Sequence, residues 1–271
     1  MSRAEPGLIR SRDNPVVKAL LKIATSARER RATRCTVLDG ARLVGAFRDS
    51  GGTAETLAVT EQAYADLRIR QVFDTTPARR NVLLADHLLR QVSQVVTSTG
   101  MLAIVRTPEP IPLPSRVETG VLLEGIQDPG NLGSILRSAV AAGVRNVFLT
   151  GGSVFAWAPK VVRAGMGAHF FLSIHEGVQP EDLVSRAIGQ IVSTEPGADC
   201  SLYELDLAGP VLWLFGNEGH GISSQAAGTA TRRIRIPMPG PSESLNVAAS
   251  AAICLFEQLR QLRLSTHADR V

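Results

Sequence analysis

The chain predicts an α/β protein with an open parallel sheet in its C-terminal part, preceded by a smaller α/β domain. Short apolar runs alternate with stretches of helical spacing along most of its length, the pattern of repeated strand and helix units. One unit is complete: the run Val121-Leu-Leu-Glu124, a glycine turn, a helix from Leu132 to Ala142 ended by Gly143, and the run Val147-Phe-Leu-Thr150. A crossover of this kind makes its two strands parallel and places the helix over the sheet. The third observation is Thr107-Pro-Glu-Pro-Ile-Pro-Leu-Pro-Ser115, whose alternate prolines favour an extended spacer without ladder pairing. It sets a first domain at residues 1–106, a linker at 107–117 and a second domain at 118–271.

In the first domain, Asn14 followed by Pro15 reads as a helix cap with proline at the first helical position. Val16, Val17, Leu20, Leu21 and Ile23 then recur at helical spacing. Strands are expected at 36–39, 56–59, 71–73 and 101–105, and helices at 41–48, 61–67 and 85–92. The second domain continues past its first unit through 160–163, strand runs at 171–172 and 191–192, a helix at 181–188 and the apolar strand Val211 to Phe215. A short strand around Ile234 then leads into a long helix from Leu245 to Leu262.

The composition is that of a folded globular chain: 271 residues, 44% hydrophobic and 20% charged. The longest apolar run, Val247 to Phe256, is well short of the ~20 residues a membrane span needs. The start of the chain lacks an apolar signal region, so a cytoplasmic protein with no membrane partner is expected. Cys35, Cys200 and Cys254 are widely spaced with no Cys-x-x-Cys pair, which suggests neither a disulfide framework nor a metal site. Net charge is +4, but residues 1–34 carry +6 and the remaining 237 carry −2. A basic segment on a near-neutral body suits a nucleic-acid partner. Arg12, Lys18, Lys22, Arg30 and Arg31 are the candidate nucleic-acid contacts.

Three segments hold the candidate chemistry. In Gln127-Asp-Pro-Gly-Asn-Leu-Gly-Ser-Ile-Leu-Arg137 a glycine turn opens a helix, whose first amides favour an anion such as phosphate. A dinucleotide site fits this turn poorly: the G-x-G-x-x-G spacing is absent, and the next strand ends without a carboxylate for ribose. Leu212-Trp-Leu-Phe-Gly-Asn-Glu-Gly-His-Gly-Ile222 follows a strand to the carboxyl edge of the sheet, where open α/β folds bind ligands. The third is Ile236-Pro-Met together with Ser244-Leu-Asn246. Three prolines and Gly240 make the intervening residues a shaped loop, and Ser244 or Asn246 can cap the helix beyond. Taken alone, this last stretch reads as a tightly packed core helix.

Together, in this order and spacing, the three segments resemble the signature motifs of the SpoU/TrmH family of RNA ribose 2′-O-methyltransferases, within the SPOUT superfamily. The resemblance covers roughly residues 120–262. It implies a trefoil knot at the end of the sheet, S-adenosyl-L-methionine as cofactor, RNA (ribosomal RNA foremost) as substrate and a homodimer through the C-terminal domain. No metal is implied. By resemblance Asn131, Arg137, Glu218, Ser244 and Asn246 serve catalysis and the reacting ribose. Gly216, Ile236, Met238 and Leu245 line the cofactor pocket, with Thr150, Phe215 and Asn217 assigned to it as well. His220 is a tempting base that the family pattern does not require. One departure is Gly165, in Arg163-Ala-Gly-Met-Gly-Ala168, where family members often carry serine.

The 2′-hydroxyl must lose a proton, and an arginine guanidinium stays protonated in proteins. Arg137 therefore suits phosphate binding, with Glu218 or the phosphate itself as proton acceptor. Other classes remain at this point: a non-catalytic RNA-binding or assembly protein, a methyltransferase of transfer RNA, and a nicotinamide-dependent oxidoreductase that would need the missing fingerprint.

Overall fold

The computed structural model describes residues 7–93, 98–217 and 219–268, in two compact units. The first comprises Met1–Glu109 together with Trp157–Phe170. Its elements are β1 (Leu8–Ile9), α1 (Pro15–Thr25), α2 (Ala27–Thr33), β2 (Cys35–Asp39), α3 (Ala41–Asp49), β3 (Thr56–Thr60), α4 (Glu61–Ala65), α5 (Leu67–Thr75), β4 (Asn81–Leu84), α6 (Asp86–Val92) and β5 (Met101–Arg106). The sheet order is β1-β4-β3-β5-β2, with β5 antiparallel to both of its neighbours. Asn14 caps α1 as expected, its Oδ1 accepting from Val16 N at 2.9 Å. The apolar stripe of α1 buries Val17, Leu20 and Ile23 against Leu88, Leu89 and Val92 of α6 and Val37, Ala58 and Leu102 of the sheet.

One expected strand is a helix. Residues 71–73 lie inside α5, because Asp66 accepts hydrogen bonds from Arg68 N (2.8 Å) and Ile69 N (3.3 Å) and so starts a new helix. The same residue ends α4, so the helix expected over 61–67 stops at Ala65. The fourth long strand is β4 instead. Its Asn-Val-Leu-Leu alternates half-buried and buried positions, but it is too short to stand out by period.

The second unit comprises Pro110–Ala156 and Phe171–Val271. It opens with β6 (Gly120–Leu123), α7 (Pro129–Ala141) and β7 (Asn146–Leu149). The chain then passes through α8 (Pro159–Gly165), whose contacts lie with the first unit although the sequence boundary at 118–271 includes it. Thr36 Oγ1 donates to Trp157 O at 2.7 Å, and the rings of Phe47 and Phe170 meet at 5.3 Å. Hydrophobic spacing shows that Trp157, Val161 and Val162 must be buried; it carries no information about which sheet buries them. After α8 come β8 (Ser173–Glu176), α9 (Glu181–Val184), β9 (Gln190–Thr194), β10 (Cys200–Ser201), β11 (Val211–Phe215), α10 (Ser224–Ala227), β12 (Arg232–Arg235) and α11 (Val247–Ala268).

The seven strands of this unit are ordered β10-β12-β9-β11-β6-β7-β8, and every pairing is parallel. Helices cover both faces. Leu183 of α9 packs with Leu122, Phe148 and Leu212 on one side. On the other, α11 packs on α7 and Gln258 Oε1 accepts from Trp213 Nε1 at 2.8 Å. Sandwiched between these layers, all five residues of β11 are buried, which is why it reads as a continuous apolar run. Truncating Trp213 to alanine would cost roughly 3–5 kcal/mol.

Two expected elements of this unit shift. The run expected at 171–172 gives way to β8 at Ser173–Glu176. The helix expected to reach Ile188 stops at Val184, because Ala187 forms a parallel bridge with Val117. That bridge, with Arg186 Nη1 donating to Pro114 O at 3.1 Å, fastens the second half of the proline-rich segment to this unit.

Candidate active site

The strand order reverses at the boundary between β6 and β11, since the chain builds outward from β6 to β8 and then returns to the other side. Ligands in open α/β sheets sit outside the carboxyl ends of strands at such a switch point. A cleft of about 520 Å³ lies on the β11 side of that point, at the carboxyl ends of β9, β11 and β12, a size ordinary for a small-molecule site. Its walls come from the ends of three strands and the start of a helix. Thr194 ends β9 and Glu195 and Pro196 follow it; Gly216, Asn217, Gly219, His220 and Gly221 follow β11; Ile236 and Met238 follow β12. Ser244, Leu245, Asn246, Val247 and Ser250 complete it around the start of α11.

Five of the seven expected cofactor residues, Gly216, Asn217, Ile236, Met238 and Leu245, line this cleft. Phe215 and Thr150 do not. The Phe215 side chain is buried in the core as the last residue of β11. Thr150 is also buried, and its Oγ1 accepts from Gly125 N at 3.1 Å and donates to Gly151 O at 3.2 Å. It holds a neighbouring turn rather than forming a wall. Thr194, Glu195 and Pro196 were missed by motif reasoning, although they sit at a carboxyl strand end as Gly216 does. The parallel strand at 191–192 was the available signal.

The fit of a nucleoside cofactor rests on how the loop after β11 closes. Asn217 and Gly221 exchange paired backbone hydrogen bonds of 2.9 Å, and Asn217 Oδ1 accepts from Gly219 N at 2.8 Å and His220 N at 3.3 Å. A Cβ on Gly216 would lie 2.2 Å from Gly221 C and 2.3 Å from its oxygen, so only glycine permits this closure. The result is a backbone-lined wall with Met238 and Leu245 as apolar partners, suited to a planar polar base and a thioether-like chain.

Asn246 joins the first motif to the third. Its Oδ1 caps α11, accepting from Ala248 N (2.9 Å) and Ala249 N (3.4 Å). The same side chain's Nδ2 is thereby turned to donate to Asn131 Oδ1 at 2.9 Å. Asn131 itself stands in the first turn of α7, its N–H bound by the capping carboxylate of Asp128 at 2.7 Å. Two helix N-termini thus meet at one amide pair, and both present positive partial charge there. Arg137, two turns along α7, is exposed and makes no hydrogen bond or ion pair with another described residue. Ser244 lies in the cleft wall beside Asn246. Glu218 lies outside the described residues.

In the first unit, Arg12, Lys22 and Arg31 are exposed, while Lys18 is paired to Asp13 at 2.9 Å. Arg30 serves the fold: Nη1 donates to Ile23 O (2.8 Å) and Ala24 O (3.1 Å), closing the carbonyl end of α1. Burial pulls its pKa below the ordinary arginine value. Among the described residues no cluster of three metal-ligating side chains occurs, and no helix is long and apolar enough to cross a membrane.

Fold and cleft together define a ligand-binding site of the open parallel α/β class, built from the loops at the carboxyl ends of β9, β11 and β12. Residues 118–256 match the sequence model of the SpoU rRNA Methylase family, and the chain belongs to that family. A crystal structure of an RNA 2′-O ribose methyltransferase superposes with a TM-score of 0.83 at 32% identity, over 95% of this chain and all of the other. The SpoU methyltransferase AviRb from Streptomyces viridochromogenes, solved with AdoMet bound, gives 0.83 at 26% identity over 93% of this chain and 99% of its own. A 23S rRNA guanosine 2′-O-methyltransferase from Bacillus subtilis is 27% identical over 92% of this chain and 97% of its own length.

Proposed function

We propose that this chain transfers a methyl group from S-adenosylmethionine to a ribose 2′-hydroxyl of ribosomal RNA. The observation that carries the reading is the Asn246 to Asn131 hydrogen bond, which sets the RNA-side motif against the cleft lined by the other two. Family membership and relatives named as rRNA methyltransferases support ribosomal over transfer RNA. When bound, the cofactor supplies a sulfonium-activated methyl group. The residues to hold it are Gly216 and Asn217 through the loop backbone, with Ile236, Met238 and Leu245 as apolar wall.

The protein's own task is to align and neutralise. Arg137 is fit to bind the phosphate next to the reacting ribose through a planar, bidentate fork. Asn131 and Asn246 fix the two helix ends that receive it, and orientation of this kind is worth several kcal/mol in the transition state. Glu218 is proposed as a support of the active site, with Ser244 beside the ribose. Arg12, Lys22 and Arg31 offer phosphate contacts on the first unit. A cytoplasmic site of action is proposed, in keeping with that substrate.

Dimerisation through the second unit belongs to the same proposal. Phe256 is 47% and Leu264 56% exposed on α11, and Leu245 in the cleft wall is 37% exposed, more apolar surface than a single packing face leaves. The trefoil knot expected from the resemblance is supported by the loops after β11 and β12 sharing one cleft with the first turn of α11. The test is methyl transfer from labelled S-adenosylmethionine to ribosomal RNA, with ribose methylations mapped in cells with and without the gene. Label found on bases rather than 2′-oxygens, or no transfer to any RNA, refutes the assignment.

A further inference from the structure

The loop after β11 is fastened at its two ends to two adjacent residues of a different segment. Glu124 and Gly125 immediately follow β6. At the start of the loop, Asn217 Nδ2 donates to Gly125 O at 2.7 Å. At its end, Ser223 makes two hydrogen bonds to one carboxylate: N donates to Glu124 Oε2 at 2.7 Å and Oγ to Glu124 Oε1 at 2.6 Å. The anchor is itself rigid. Glu124 N donates to Phe215 O at 2.9 Å, and Gly125 N donates to Thr150 Oγ1 at 3.1 Å. Asn217 is thus both fastening and cleft wall, and Gly219, His220 and Gly221, also in the cleft wall, lie between it and Ser223.

Glu124 is half-exposed, so its carboxylate is not needed to complete a core and could be hydrated at little cost. Holding a long charged side chain in one geometry costs rotamer entropy. The two short, charge-assisted bonds offset this and fix the far end of the loop. A binding loop released at one end spends only a fraction of its time in the competent shape, and apparent affinity falls by that fraction.

We infer that Glu124 is a positioning residue for the cofactor site: acting through Ser223, its carboxylate holds the cleft-wall residues Asn217, Gly219, His220 and Gly221 in the shape that receives the ligand. Nothing in the three signature motifs points to it, since it precedes the first and contacts the end of the second. Ser223 also caps α10, its Oγ accepting from Ala226 N at 3.1 Å, so the latch and the start of the next helix form one unit. The inference rests on the cofactor reading above.

The experiment is calorimetric titration of S-adenosylmethionine into the full-length protein and into Glu124→Ala, Glu124→Gln, Ser223→Ala and the double alanine variant. Melting curves confirm that each is folded. Loss of both latch bonds is expected to weaken binding about tenfold or more. In turnover, KM for the cofactor should rise more than kcat falls, and KM for RNA should stay within about twofold. Glu124→Gln should recover part of the affinity, because an amide oxygen still accepts one of the two bonds. Ser223→Ala should lose less than Glu124→Ala, because its backbone N–H remains. In cofactor affinity the double variant should lose less than the sum of the two single losses, since both act through one contact, while the lost cap on α10 shows separately in its melting temperature.

Wild-type affinity in a folded Glu124→Ala overturns the inference, as do additive losses in the double variant or a Glu124→Gln no better than alanine. A native protein that binds no S-adenosylmethionine at all overturns the cofactor reading instead, and this inference with it.

Discussion

Replacing Asn246 by aspartate separates the two tasks of one side chain. Aspartate keeps the oxygen that accepts from Ala248 N and Ala249 N and caps helices about as well as asparagine. The cap on α11 should therefore hold in the aspartate variant, which loses only the contact to Asn131, whereas Asn246→Ala loses cap and contact together, about 2 kcal/mol, and should show roughly twice the fall in Tm. What aspartate lacks is the Nδ2 donor to Asn131 Oδ1, 2.9 Å away. Losing that hydrogen bond removes about 1 kcal/mol. A carboxylate placed where a phosphate is to bind adds a repulsion of about 3 kcal/mol, taking roughly 6 Å and an effective dielectric near 20. Together these correspond to a loss of methyl transfer on the order of several hundredfold. Calorimetric melting, S-adenosylmethionine titration and single-turnover methylation on the same preparations check the separation. An Asn246→Asp protein that methylates RNA within about threefold of the native rate would refute the reasoning, and so would one whose Tm falls as far as that of the alanine variant.

Arg137→Ala is expected to reduce methyl transfer about a hundredfold or more with S-adenosylmethionine affinity nearly unchanged, and Arg137→Lys to restore little, because an ammonium lacks the planar fork; rates and cofactor titration check both. Gly216→Ala should abolish measurable cofactor binding, since the new Cβ would overlap the Gly221 carbonyl group, while far-ultraviolet circular dichroism shows the sheet intact. His175 is buried, stacked on Phe148 at 5.0 Å, with Nδ1 3.3 Å from Ile111 O. Burial holds its pKa below the usual 6.5, so the unfolded chain takes up a proton first and stability is lost as pH falls below that value. His175→Phe should keep the stacking and flatten the dependence of Tm on pH between about 7 and 5.

Much of the site was legible before the fold, because its groups come from contiguous loops whose backbone demands are written in residue type. Asn246 was one of two candidate caps for the last helix, and the glycine turn after Gln127 marked a helix start beyond a strand; each is a local requirement that a short window of sequence records. The strand at 211–215 was equally plain, since burial on both faces leaves an unbroken apolar run. Tertiary structure decided what depends on pairing across long separations. It set the Thr150 hydroxyl against Gly125 N and the Arg30 guanidinium against the carbonyl end of α1. It joined Trp157–Phe170 to the first unit and brought Ser223 to Glu124 across 99 positions. Local propensity constrains each residue against its near neighbours along the chain; which distant group satisfies its remaining hydrogen bonds is settled only when the strands take their order in the sheet.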